Sequence, residues 1–382
     1  MHCAPTPTLT PFLASSVSLI GTGQTSFGEH WDKGLRTLME EAVHAALEDA
    51  PCTELDVDFV VVANMLAERV SAQAHLGAIA SSLLPHRPPA IRVEAACASG
   101  SVAVHTALSL LESNRAQTVL VLGVEKMTDV RNEEIAAALM GAADSEKESP
   151  SGLTFPGIFG LIARRYMEEY GLTREDLSLV SARHHANAAS NPFAQFQSPI
   201  PARVISESTL VADPLRLLDC SPVSDGAAAC LLSTKFEGPV RIAASQVCTD
   251  TLSITERPTI TSFAATREAA QRAFAEAQIS PIDIAHVELH DCFSIAALLS
   301  VEDLGFAAPG EGIRRYRERS TAPTFNASGG LKACGHPVGA TGVKQINDVA
   351  KQLKASGSRW GLAHNFGGAG ATCGIHILEY AS

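Results

Sequence analysis

Apolar and polar positions follow two periods along the chain, and the places where the period changes mark the elements. SVSLIGTG (16–23) reads as a strand, and KGLRTLMEEAVHAALEDA (33–50) sets Leu35, Leu38, Met39, Ala42, Val43, Ala46 and Leu47 on one helical face. DFVVVAN (58–64) is an apolar run of strand length. RVEAACASGS (92–101) passes from an extended segment through small residues into the helical pattern VAVHTALSLLES, and the strand TVLVLG (118–123) follows. Strand, tight turn, helix and strand make a βαβ crossover, hence a parallel sheet with helices on its faces.

The second half repeats that order, with a helix in TREAAQRAFAEA (266–277), a strand in AHVELHD (285–291) and a glycine-rich turn, NASGGLKACGHPVGATG (326–342). The helix VKQINDVAKQL (343–353), the strand RWGLAH (359–364), the turn NFGGAG (365–370) and the strand ATCGIHILE (371–379) complete it. The repeat lies in the order of elements and is weak at residue level. Between the halves, residues 125–215 are richer in charge, Asn and Pro, with helical patterns at 159–171 and 174–190. The predicted organisation is an N-terminal extension (1–15), a first α/β half (16–124 and 216–240), an inserted, mainly helical lobe (125–215) and a second half (241–382). A lobe over one end of the sheets would create the crevice where α/β proteins bind ligands.

With 382 residues, 46% of them apolar and 18% charged, the chain can bury one or more large cores. Its net charge of −12 has the wrong sign for nucleic acid. The phosphates of a polyanionic ligand would therefore need a local basic patch, which the sequence does not single out. Nine cysteines, scattered and without a Cys-x-x-Cys pair, argue against a disulfide framework or a metal site and for reduced thiols in a reducing compartment. The start of the chain has no basic residue before Lys33, no apolar run reaches membrane-spanning length, and the terminal EYAS is no peroxisomal address. Cytoplasm is the expected location, with the mitochondrial matrix as the alternative.

Three segments could carry chemistry. Cys97 sits where a strand gives way to a helix, so helix N-terminal N–H groups would favour its thiolate, although a lone cysteine among small residues is more often a packed core thiol. His336 lies in a loop with glycines at 329, 330, 335, 339 and 342, which lets the backbone turn sharply and approach a ligand. His290, Asp291, Cys292 and Phe293 follow directly on a strand, where α/β sites gather. Asp291 reads as a cap for a helix beginning at Ser294.

EAACASGS, HDCF and GGLKACGHPVGATG, in this order, resemble three catalytic loops of the thiolase superfamily, and NFGGAG resembles the fourth. VLGVEKMTD (121–129), TFPGIFG (154–160) and SPVSDGAAA (221–229) also resemble family segments, so the likeness runs from about residue 16 to the C-terminus. HDCF stands where the degradative and biosynthetic thiolases carry Asn-Glu-Ala-Phe, and Asn365 stands where they place a second catalytic cysteine. In both respects the chain is similar to the sterol-carrier-protein type and to archaeal acetyl-CoA acetyltransferases, in which the HDCF cysteine, here Cys292, takes over that role.

The resemblance implies a thiolase fold of two βαβαβαββ halves in α-β-α-β-α layers and a coenzyme A thioester as substrate, with no permanently bound cofactor and no metal. It implies that His336 draws the proton from Cys97, which becomes acylated, with the acyl oxygen between the N–H groups of Cys97 and Gly367. His290 and His336 would hold an enolate oxygen while Cys292 moves the alpha proton, although a thiol of pKa about 8.5 is a poor base at neutral pH unless its surroundings lower that value. Cys334 and Cys373 are expected to pack. Phe155, Phe159, Phe193 and Phe196 are either pocket wall or lobe core. A homodimer built beside the nucleophile loop is implied, with a monomer still open, and a partner chain in lipid metabolism could supply the lipid-carrier domain of some relatives. Two other functions stay open: a decarboxylative or non-CoA acyltransferase on the same fold, and a weakly active CoA-binding scaffold.

Overall fold

The computed structural model describes residues 17–318 and 322–381; the expected N-terminal extension, with Cys3, lies outside them. In chain order the first half contains β1 (Ser18–Gln24), α1 (Leu35–Asp49), β2 (Phe59–Ala63), α2 (Ala67–Val70), α3 (Leu76–Ser81), β3 (Ala90–Val93), α4 (Ser99–Glu112) and β4 (Thr118–Glu125). The intervening lobe holds α5 (Asn132–Leu139), α6 (Phe155–Tyr170), α7 (Arg174–Ala188) and α8 (Ala202–Glu207), with a hairpin of β5 (Leu210–Ala212) and β6 (Leu215–Arg216). β7 (Gly226–Ser233) closes the first half. The second half runs β8 (Val240–Thr249), α9 (Ala264–Ala277), β9 (His286–Glu288), α10 (Ser294–Asp303), α11 (Arg314–Arg317), β10 (Thr324–Phe325), α12 (Gly330–Cys334), α13 (Thr341–Ser356), β11 (Trp360–Gly367) and β12 (Thr372–Tyr380).

Ten strands form one continuous sheet in the order β10-β9-β11-β12-β8-β1-β7-β4-β2-β3. β1 and β8 meet only at Ser18–Arg241 and Leu19–Val240, so the sheet is two five-stranded halves joined at a short seam. The halves repeat each other: β2 pairs in parallel with β3 and β4, as β9 does with β10 and β11. Each then closes with antiparallel strands, β7 and β1 in one and β12 and β8 in the other. This is the expected βαβαβαββ repeat.

Strand alternation sends the two faces into different cores. Val61, Ala63, Val119 and Val121 face α4 and α13, whereas Val60, Val62, Leu120 and Leu122 face α1 and α3. On the far side the second half packs beneath α9 and α10, which gives five layers with α4 and α13 in the middle. Being central, α13 is buried on every side from Thr341 to Ala350. Its polar residues are tied down accordingly: Asn347 donates to the carbonyls of Gly23 and Ala229 at 3.2 and 3.0 Å.

The lobe has no separate core. Ile158, Phe159 and Ile162 of α6 and Leu177 and Val180 of α7 join the cluster formed with Ala269 of α9 and Leu298 of α10. β9 ends at Glu288, short of the expected 291, with His290 to Cys292 following the strand as expected; β11 runs on to Gly367, which confines the expected 365–370 turn to Gly368–Ala371.

Candidate active site

The two central helices begin at one point. A Cβ on Gly100, in the first turn of α4, would lie 2.8 Å from the backbone nitrogen of Gly342 in the first turn of α13. Only glycine permits that approach, and it brings the Cys97 loop of one half against the His336 loop of the other.

Cys97 is presented by a strained turn. Ala96 has φ of 52°, a left-handed conformation that costs a residue with a Cβ about 1–3 kcal/mol. The turn is held by Ser99, whose hydroxyl accepts from the N–H of Ala95 at 2.9 Å and donates to the carbonyl of Ala96 at 2.6 Å, and by Glu94, which accepts from the N–H of Ala96 at 2.6 Å. Gly367 packs so closely behind it that a Cβ there would meet the carbonyl oxygen of Ala95 at 2.4 Å. The expected thiolate is not the resting form. Burial pushes the Cys97 thiol up to about 12, outweighing the N–H of Gly368 bonded to its sulfur, and the nearby Glu125 carboxyl pushes in the same upward direction.

His336 is fixed by Thr341, five residues on. Its Nδ1 lies 2.7 Å from the Thr341 hydroxyl, which donates its own hydrogen to the carbonyl of Pro337 at 3.0 Å. The hydroxyl therefore accepts, Nδ1 carries the ring proton, and Nε2, buried with no hydrogen-bond partner, has a free lone pair. Burial lowers the His336 pKa to about 4, so the ring is neutral at neutral pH.

His290 has the opposite tautomer. The side-chain amide of Asn365 donates to its Nδ1 at 2.9 Å, which leaves the proton on Nε2, also buried without a partner. Burial, followed by the nearby His336 and His364, holds its pKa well below the usual histidine value. The Cys97 sulfur and a ring nitrogen from each of His290 and His336 lie within 4.8 Å of one another. The two rings stand nearly perpendicular, with centroids 5.0 Å apart. Among the described residues this is also the one cluster of His, Cys and carboxylate atoms tight enough to grip a cation. A lone pair, an N–H and a thiol converging on one point are equally the components of a covalent acyl-transfer site.

Cys292 is buried beside this group, its thiol raised well above the usual value by burial and then by Cys97 and Asp291. Asp291 does not cap the helix at Ser294. It accepts the N–H groups of Leu331 at 2.7 Å and Lys332 at 3.3 Å, capping α12 instead, and its other contact is His184 Nδ1 at 2.6 Å. The hydroxyl of Ser294 instead bonds Asp219 at 2.9 Å. The reason is that the 290–292 loop turns its carboxylate toward α12, thereby tying the Cys292 loop to the His336 loop. Cys334 is buried and donates to the carbonyl of Ser328 at 3.1 Å, and Cys373 lies buried within β12. All eight described cysteines are free thiols.

A cavity of about 390 Å³ opens onto Cys97, Cys292 and His336. Its wall is mostly apolar, with Ile135, Leu139, Phe155, Phe159 and Phe293 among its residues. Of the four lobe phenylalanines, Phe155 and Phe159 line it; Phe193 and Phe196 do not. Sequence reasoning passed over Thr341, which orients His336, and the contact of Asn365 with His290. It also passed over Cys220, a cavity residue whose backbone pairs with Phe293. The position of Thr341 five residues after His336, at the first residue of α13, was the available signal for the first; the other two join residues 73 to 75 positions apart, which no local pattern reveals.

Paired α/β halves that bring a cysteine on a strained turn against two histidines define an enzyme of covalent acyl transfer. Residues 17–235 match the family description "Thiolase, N-terminal domain", and residues 246–380 match "Thiolase C-terminal domain-like". The chain belongs to the thiolase family and is an acyltransferase of that type. It is 44% identical to an acetyl-CoA acetyltransferase of Methanothermobacter thermautotrophicus, over 95% of this chain and 99% of that one. To sterol carrier protein 2 of Homo sapiens it is 31% identical, over 94% of this chain and 71% of that one. Among solved structures, one described as the Ltp2–ChsH2(DUF35) aldolase has the same fold, with a TM-score of 0.80 at 23% identity over 95% of this chain and 97% of that one.

Proposed function

We propose that the protein moves acyl groups between coenzyme A thioesters through an acyl-Cys97 intermediate, either by thiolysis of a 3-ketoacyl-CoA or by the reverse Claisen condensation. The observation that carries this reading is the convergence of Cys97, His336 and His290 within 4.8 Å, the two histidines in opposite tautomers. Nε2 of His336 takes the Cys97 proton, the sulfur attacks the thioester carbonyl, and the departing thiol of coenzyme A receives that proton. The N–H groups of Cys97 and Gly367 hold the acyl oxygen.

In the second half-reaction Cys292 removes an alpha proton from another acyl-CoA. The Nε2–H of His290 stabilises the enolate oxygen, and His336 joins it with the proton that Cys292 sheds on becoming a base, a proton that passes to the Cys97 sulfur once that is expelled. The enolate carbon then attacks the acyl-Cys97 carbonyl and expels the Cys97 sulfur. Every step is reversible, so one set of residues serves both directions.

The cavity favours an uncharged acyl chain, since its wall offers aliphatic and aromatic side chains and no buried ion-pair partner for a second carboxylate. A decarboxylative enzyme would not need Cys292, whereas here that thiol sits at the cavity beside Cys97. A reducing, cytoplasmic location, the lobe boundaries at 125 and 215, and a homodimer through the edge strand β3, where Ile91 is 40% exposed, belong to the same reading. The test is a series of 3-ketoacyl-CoA substrates of increasing chain length, with coenzyme A as acceptor. Thiolysis of one or more supports the proposal, and its absence across the series favours the scaffold alternative.

A further inference from the structure

In the turn before β7, Cys220, Ser221, Pro222 and Val223 line the cavity, and the segment they open bridges the two loops that hold Cys292 and His336. At one end the backbone of Cys220 pairs with Phe293, and the N–H of Ser221 donates to the carbonyl of Cys292 at 2.8 Å. At the other end the hydroxyl of Ser224 accepts the N–H of His336 at 3.2 Å. Asp225, the next residue, is buried and pins the segment to the first half. It accepts from Lys126 at 2.8 Å, from the N–H groups of Met127, Thr128 and His30 at 2.6, 2.9 and 3.1 Å, and from the Thr128 hydroxyl at 2.6 Å. The chemistry assigned above uses none of these side chains.

Ser224 is fully buried, and its hydroxyl has one hydrogen to give. That hydrogen goes to Oε1 of Gln195 at 2.6 Å, since the carbonyl of Pro222, at 3.2 Å, is the more distant acceptor. Gln195 comes from the lobe, and its backbone is held by the end of α12: its N–H donates to the carbonyl of Cys334 at 3.1 Å, and that of Phe196 to Ala333 at 2.9 Å. Gly335 lets these groups meet, because a Cβ there would lie 2.5 Å from the Ser224 hydroxyl oxygen and 2.9 Å from Oε1 of Gln195. With its hydrogen committed to Gln195, the Ser224 oxygen presents a lone pair to the His336 N–H. His336 is therefore fixed twice, at its ring by Thr341 and at its backbone by Ser224.

We propose that Ser224, oriented by Gln195, is a positioning residue for His336 and sets where Nε2 of that ring stands relative to Cys97. This rests on the thiolase reading above, in which Nε2 takes the Cys97 proton. A general base works only within hydrogen-bond reach of the proton it removes, so a small displacement of the ring is costly. Without the Ser224 hydroxyl the buried N–H of His336 loses its acceptor, and the loop shifts to find another. Without Oε1 of Gln195 the hydroxyl turns to the Pro222 carbonyl and its lone pairs turn with it. A lobe residue thereby reaches the base through two side-chain hydrogen bonds while touching neither substrate nor Cys97.

The test follows single-turnover acetylation of Cys97 by intact mass, over a range of acetyl-CoA concentrations. It compares wild type, Ser224→Ala, Gln195→Met, Gln195→Glu, His336→Ala and the double variant Ser224→Ala/His336→Ala. Ser224→Ala should acylate about tenfold or more slowly, with the concentration for half-maximal rate unchanged. Gln195→Met, which removes the acceptor at similar volume, should be slowed as well, whereas Gln195→Glu, which keeps an acceptor oxygen, should stay within about twofold of wild type. Because Ser224 acts through His336, its loss should add nothing in the His336→Ala background; a residue of general packing would slow both backgrounds by the same factor. Should Ser224→Ala fail to fold, the two Gln195 variants, at a half-buried position, decide alone. Acylation by Ser224→Ala close to the wild-type rate, a full further loss in the double variant, or Gln195→Glu as slow as Gln195→Met would each overturn the proposal. A wild type that forms no adduct would instead count against the thiolase reading itself.

Discussion

The side-chain amide of Asn365 donates to Nδ1 of His290 at 2.9 Å and so fixes the proton of that ring on Nε2, which is buried without a hydrogen-bond partner. The contact joins the end of β11 to the loop after β9, so the tautomer of a site histidine depends on pairing between two strands. Removing the amide in Asn365→Ala leaves a buried acceptor unpaired, a loss of about 1–3 kcal/mol. If all of it falls on the enolate step, condensation slows by about ten- to a hundredfold while Cys97 still acylates. Steady-state rates together with intact mass would show the split; equal losses in both half-reactions would place Asn365 in general packing.

Cys292→Ala should abolish condensation and alpha-proton exchange yet retain the acyl adduct. Supplied with a malonyl thioester, which forms its enolate by losing carbon dioxide, the same variant should condense, because the step assigned to Cys292 is bypassed. Undiminished exchange in the variant would remove Cys292 from the mechanism.

Ala136 lies on the cavity wall, near Ile135 and Leu139 of the same helix. Ala136→Phe should narrow the cavity and lower kcat/KM for long acyl chains first, with the shortest substrate close to wild type, since overpacking harms only the ligand that needs the space. A uniform loss across chain lengths would mean that the acyl group runs elsewhere.

Burial lowers the pKa of His336 and His185 to about 4 and of His364 and His376 to about 3, against about 6.5 in an unfolded chain. The folded state stays unprotonated there while the unfolded state takes up protons. Stability is therefore fully present above about pH 6.5 and falls as pH drops toward 4, by about 1.4 kcal/mol per pH unit for each such histidine. His376 bonds Ser101 at 2.8 Å within the central layer, so His376→Gln tests this away from the cavity. Thermal unfolding of that variant should depend less steeply on pH between 6 and 4.5; an unchanged slope would contradict the assignment.

The paired α/β halves were legible because the order of elements repeats, and the five layers because the motifs resemble those of a known family. Cys97 and His336 were legible because each stands in a loop of small residues at the start of a central helix. The state of Cys97 was not, since helix N-terminal N–H groups suggested a thiolate whereas burial prevails and keeps the proton on sulfur. Asp291 looked like a cap for the helix three residues on, but its carboxylate reaches α12 forty residues later.

The central claim is that Cys97 carries the acyl group. Wild type, Cys97→Ala and His336→Ala would be incubated with acetyl-CoA or acetoacetyl-CoA, and the intact chains weighed. One acetyl group is expected on the wild type, none on Cys97→Ala, and acylation slowed by about a hundredfold or more in His336→Ala. An adduct that persists in Cys97→Ala would contradict it.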